Sequence, residues 1–142
     1  MAFLTTPPAC HAYQLTVSLG QSEGAAGTTY LPIVFKNSSG VTCSLRGYPG
    51  VSSVGGDDGH QIGAAARRDP GSVRTIVLRS GASASATYGQ VQALNYPKAC
   101  CHPQSARGLR VYAPNVTAAR YVPFKHLACS ATLSDSHVRP IR

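Results

Sequence analysis

Tryptophan is absent from this chain, methionine occurs once, and only five of its 142 residues are acidic. Charged side chains make up 13% of it, well below the roughly 25% usual for a soluble domain. Each shortage excludes something. Without tryptophan there is no Cys-Trp-Cys signature of an antibody domain. With so few acids, paired-carboxylate chemistry has almost nothing to work with. Asp57 and Asp58 are neighbours in a glycine loop and read as turn formers. No apolar run approaches the roughly twenty residues of a membrane-spanning helix. In place of charge the chain uses Ser, Thr, Ala, Gly and Pro, a mixture that suits extracellular β proteins and is poor for helices. Its hydrophobic residues, 43% of the total, are spread in short runs, which argues against disorder. The length is that of one domain with a buried core.

The net charge of +8 is unevenly placed. From Lys98 onward there are seven basic residues against the single acid Asp135, which accounts for six of the eight net charges. Such a surface attracts polyanions, and it also serves simply to keep a protein in solution. Any anionic-partner surface is therefore expected on this final third, with Arg107, Arg110, Arg120, Lys125 and Arg139 as candidates.

Cysteines stand at 10, 43, 100, 101 and 129. Five suit an oxidising compartment, with two bridges and one thiol left over. A zinc site would need paired ligands, and here the cysteines are scattered and the histidines isolated. Neighbouring side chains on an extended Cys100-Cys101 segment also point opposite ways. The opening Met1-Ala2-Phe3-Leu4 lacks the basic region and the apolar length of a signal peptide, so a targeting segment, if one exists, is expected outside this sequence.

The chain is organised around Val34–Gly50. Its pattern predicts the end of a buried strand, a tight turn at Asn37-Ser38-Ser39-Gly40, and a second strand entered at Val41 that carries Cys43, the two strands forming a central hairpin. The Gly47-Tyr48-Pro49-Gly50 corner ends that strand, since Gly and Pro supply the backbone angles such corners need. Before it, residues 1–9 read as a proline-bearing tether to a single domain at 10–142. Tyr13, Leu15, Val17 and Leu19 alternate with polar residues, as a half-buried strand does. Residues 20–27 read as a small-residue connection. The run 30–35 reads as an interior strand in which Pro32 requires a bulge or an edge. Further strands are expected at 51–54 and at 73–78, the latter paired in a hairpin with the Ala/Ser alternation of 82–87. After a long connection at 89–108, in which one short helix fits at 90–96, strands are expected at 109–113, 121–127 and 131–138. Short strands at this spacing predict an all-β fold, an antiparallel sandwich of about seven to nine strands.

Few residue patterns carry chemistry. Gly20-Gln21-Ser22-Glu23-Gly24 matches G-x-S-x-G, which activates a serine only where a strand leads in and a helix leads out. No helix is expected after it. A secreted hydrolase using Ser22 is thus a minor alternative. Of the five histidines, His11 beside Cys10 and His102 beside Cys101 would make a metal site only by converging in the fold. No metal or other cofactor is expected. Asn37-Ser38-Ser39 and Asn115-Val116-Thr117 match glycosylation sequons, although Asn37 suits its turn in any case.

One resemblance covers nearly the whole chain. Cys10, then Asn37-x-x-Gly-x-Thr-Cys43-x-Leu-x-Gly-Tyr-Pro49, Leu78-x-x-Gly81, Cys101-x-Pro-x-x-Ala-x-Gly-Leu-Arg-Val-Tyr112 and Cys129 together resemble domain-of-unknown-function family 4232. The Thr-Cys-x-Leu-x-Gly-Tyr-Pro element is its most specific part. The resemblance implies an immunoglobulin-like sandwich, outside the cytoplasm, in secreted or lipid-anchored proteins of actinobacteria. It carries no activity across. It also selects Cys101 as the partner of Cys129, leaving Cys100 as a free thiol. Chain order pairs Cys10, which precedes the first strand, with Cys43 on the central one. The expected function is a secreted or envelope-attached, non-enzymatic binding module with an extracellular partner that is anionic or a protein. Non-specific binding of nucleic acid or another polyanion is the second alternative, and no motif for reading bases is present.

Overall fold

The structure, a computed structural model, describes residues 6–131 and 133–142. Strands take up 51% of the chain and helix 7%. Twelve strands form in these residues: β1 (Leu15–Leu19), β2 (Glu23–Ala25), β3 (Thr28–Asn37), β4 (Cys43–Arg46), β5 (Gly50–Gly55), β6 (His60–Ile62), β7 (Arg67–Arg68), β8 (Thr75–Leu78), β9 (Ser83–Val91), β10 (Pro103–Tyr112), β11 (Arg120–Cys129) and β12 (Ser136–Val138). The excess over nine comes from β2, β6 and β7, each only two or three residues long, while β12 is a shortened form of the strand expected at 131–138. One four-residue helix, α1 (Lys98–Cys101), and two single turns at Ala12–Gln14 and Ala93–Asn95 complete the chain.

Three sheets result. The largest runs β1-β3-β9-β12-β7, with β2 also on β3; the second runs β11-β10-β5-β6; the third is the pair β4-β8. All pairings between these strands are antiparallel except β12 with β7, where His137 lies opposite Arg67. Along β3 and β9 the buried residues alternate as the sequence pattern requires, and their register sets large against small. Phe35 lies opposite Ala84 and Ile33 opposite Ala86, while at the end of this stretch two large side chains, Leu31 and Tyr88, face each other. The Ala/Ser alternation is therefore a packing device: the small side chains of β9 leave room for the large ones of β3. Ile33, Phe35 and Tyr88 of this sheet meet Val51, Leu109 and Val111 of the second and Leu45 and Leu78 of the third in one apolar cluster. Each such side chain contributes about 1.5–3 kcal/mol by leaving water.

Two expected hairpins do not form. The Asn37–Gly40 turn carries the chain from one sheet to another, since β3 pairs with β1 and β9 while β4 pairs with β8. Residues 82–87 likewise belong to β9 and pair with β3, not with the strand at 75–78. Both errors share one cause. A short polar turn between two apolar strands reads as a hairpin, and only the burial of both strands in a common core makes the chain cross instead. A third connection proved shorter than expected, because β9 runs on to Val91 and β10 begins at Pro103. The 20–27 connection contains β2, which turns back onto β3 through Ala26 and Gly27, both with positive φ (49° and 82°), as a two-residue hairpin loop requires. Pro32 lies inside β3, at the point where the neighbour on one side changes from β1 to β2. Its carbonyl accepts the N–H of Gly20 at 2.8 Å.

Of the expected tether, residues 1–5 lie outside the described residues. Pro7, Pro8 and Ala9 run alongside β4. The Ser44 N–H donates to the Pro8 carbonyl, the Ser44 hydroxyl donates to the Pro7 carbonyl, and Cys10 N–H donates to Ser44 O. Cys10 is bonded to Cys43 at the edge of the main core, and Cys101 to Cys129. The second bridge ties α1 to the end of β11 within a small apolar cluster containing Ala93. Cys100 is free and exposed.

Candidate functional site

Arg107, Arg110 and Arg120 converge on one cleft of about 460 Å³, walled by the Gly55–Gly59 loop, Ala119 and Tyr121. The register of the second sheet explains the convergence. On β10, Leu109 and Val111 point into the core, so Arg110 between them faces outward, directly opposite Tyr121 of β11 and Ser52 of β5. The ladder between β10 and β11 slips between Ala106 and Gly108, and this bulge frees Arg107 from the pairing. Gly108 leaves no room for a side chain at the slip, since a Cβ there would lie 2.4 Å from the Val122 carbonyl.

The arginines are held by backbone rather than by acids. Arg107 donates to the Gly56 carbonyl at 3.0 Å, Arg110 to the Gly59 carbonyl at 2.8 Å, and Arg120 to the Ala12 carbonyl at 2.7 Å. A guanidinium has five N–H donors, so each arginine is oriented while keeping donors to offer. Asp57 and Asp58 stand on the same loop. Asp58 pairs with His60 at 2.8 Å, and that hydrogen bond holds its carboxyl below the ordinary carboxylate range. The cleft thus presents three guanidinium groups and two carboxylates. Such an arrangement orients a single acidic group well and offers much less to a dense row of charges.

The other two expected basic residues lie elsewhere. Lys125 borders a hollow of about 300 Å³ beside Phe124, His126 and Leu94. Arg139 lines another, with Arg74 and Arg142. Sequence reading missed the role of the Gly55–Gly59 loop as the wall facing these arginines. Its composition signals a turn, and only the β5–β10 pairing shows what the turn faces.

Ser22 is exposed and leads into β2, a strand, where an activated serine needs a helix. Gly20 of the same motif has a packing reason: a Cβ there would sit 2.4 Å from the Pro32 ring. A different serine meets a histidine. Ser53 Oγ lies 2.8 Å from His126 Nε2, and His126 Nδ1–H donates to the Phe124 carbonyl at 2.8 Å. Nε2 is therefore the acceptor and Ser53 the donor. Burial holds the imidazole below its ordinary pKa, in the neutral form that this pair needs. At 5% exposure Ser53 offers no open face to a substrate, and a carbonyl stands where a triad would place an acid.

His11 and His102 do not converge with cysteine thiolates, because Cys10 and Cys101 are each in a different disulfide. Among the described residues no group of three His, Cys, Asp or Glu is placed to hold a metal. No helix of the described residues is long and apolar enough to cross a membrane. Asn37 is fully buried, while Asn115 is exposed with φ of 63°.

No curated protein and no solved structure matches this chain. The family model for a domain of unknown function (DUF4232) matches residues 10–141, nearly the whole length, and the chain belongs to that family.

Proposed function

We propose that this protein is a non-enzymatic binding module of the extracellular space or cell envelope, and that it captures a partner through an acidic group. The convergence of Arg107, Arg110 and Arg120 on one cleft carries this reading. The three guanidinium groups are pre-oriented by backbone carbonyls, so little side-chain entropy is lost when a ligand arrives. Two disulfides fit an oxidising environment, which supports a location outside the cytoplasm. The architecture we assign is an immunoglobulin-like β-sandwich. In support, the chain crosses between sheets at Asn37–Cys43 and at Leu78–Ser83, and all three sheets contribute to one core.

The test is a titration with citrate followed by amide chemical shifts in NMR. Shifts are expected to concentrate at residues 55–59, Arg107, Arg110 and Arg120. Shifts spread evenly over the basic residues, Lys125 and Arg139 included, would contradict the reading.

A further inference from the structure

A second hollow, of about 560 Å³, adjoins the arginine cleft across Arg120, which lines both. Its wall carries an aromatic platform. Tyr13 is 78% exposed, and its ring lies flat against His11, with centroids 5.2 Å apart and planes 7° from parallel. A tyrosine so exposed contributes little to the core, and the turn that presents it is fixed. The turn at Ala12–Gln14 that carries it is closed by the Gln14 side chain, which accepts the His11 N–H at 2.8 Å. Arg120 grips the same turn through the Ala12 carbonyl. Asn115 and Thr117 supply polar atoms on the facing wall. On the far side of Arg120 stands a second open aromatic, Tyr121, 55% exposed, whose hydroxyl donates to the Arg107 carbonyl.

The charge pattern restricts the occupant. Asp57 and Asp58 on the cleft rim repel a chain with a phosphate at every unit, and they accept hydrogen bonds from hydroxyl groups. Flat apolar rings, a few fixed guanidinium groups and scattered polar atoms match a hydroxyl-rich chain with widely spaced charges. Resting on the anion-binding reading above, we propose that the two hollows together bind a carboxylate-bearing oligosaccharide. Its carboxylate sits between Arg107 and Arg110, and a sugar ring lies on Tyr13.

The test is calorimetric titration of the full chain with three probes: a hexasaccharide of alternating uronate and N-acetylhexosamine, a neutral N-acetylhexosamine hexamer, and inorganic polyphosphate. The uronate hexasaccharide is expected to bind tightest, with affinity falling only about tenfold per tenfold rise in salt, as for one neutralised charge. Arg110→Glu should weaken it at least about tenfold, the scale of one charge-assisted contact. Tyr13→Ala should weaken it about fivefold, the scale of one lost stacking contact. Because Tyr13 is exposed, that variant is expected to keep the thermal unfolding temperature of the parent. Polyphosphate bound most tightly, with loss in Arg110→Glu and indifference to Tyr13→Ala, would overturn the saccharide assignment and leave the anion-binding reading standing. Failure of both charged probes to bind would overturn the two together.

Discussion

The Asn37 side chain donates to the Leu78 carbonyl at 2.9 Å, joining the ends of two strands in different sheets, forty-one residues apart. The same amide donates to the Val41 carbonyl at 2.8 Å, and its oxygen accepts the Ser39 N–H and hydroxyl. One buried side chain thus satisfies polar groups at two of the points where the chain crosses between sheets, after β3 and after β8. Asn37→Ala would leave those groups unpaired in the interior, at roughly 1–3 kcal/mol for each one that water cannot reach. A loss of about 2–4 kcal/mol is expected in urea unfolding. Asn37→Asp is expected to be as costly, since a carboxylate would face two carbonyls. The Asn37 sequon should stay unmodified in a glycosylating host, which peptide mass spectrometry would show.

This residue also marks how far the sequence could be read. The alternations read at 13–19 and 109–113 follow from residue pattern for β1 and β10, except that Tyr13 lies in the turn before β1 and is 78% exposed. The apolar run 30–35 falls within β3, whose residues are alternately buried. Asn37 reads as a turn former for a local reason, while its actual work is long-range and depends on where Leu78 ends. The same holds for the cleft. Arg110 and its outward direction follow from Leu109 and Val111 on either side of it. Its neighbours Gly59 and Tyr121 follow only from strand register, which short strands with polar turns leave open. The separation of Arg139 and Lys125 from the cleft was invisible for the same reason.

The disulfides set a clear stability difference. The Cys10–Cys43 and Cys101–Cys129 bridges span 33 and 28 residues. Loop-closure entropy for such lengths is roughly 3–4 kcal/mol per bridge. Cys43→Ala is therefore expected to cost several kcal/mol on that scale, while Cys100→Ser, at an exposed free thiol, should change stability by no more than about 0.5 kcal/mol. Chemical denaturation of the two variants measures both.

Stability should also depend on His126. Burial depresses its pKa in the fold, so the unfolded chain binds the proton more readily. Its contribution is full above the unfolded value of about 6.5 and is lost as pH falls from there toward the lower folded value. Protonated Nε2 can no longer accept from Ser53, so the hydrogen bond goes with it. Unfolding free energy should drop between pH 7.5 and 5, and His126→Gln should flatten that slope. An unchanged slope would remove His126 as its cause.

Two variants of equal charge decide whether an acidic partner is held by one cleft and not by basic charge at large. Arg107→Glu/Arg110→Glu reverses two positive charges inside the cleft, and Lys125→Glu/Arg139→Glu reverses two outside it. The measurement is the salt concentration that elutes each from a carboxylate matrix, with circular dichroism confirming that both are folded. The first variant is expected to lose retention and the second to elute near the parent protein. Equal loss in both would show that net charge alone governs binding and would contradict a dedicated cleft.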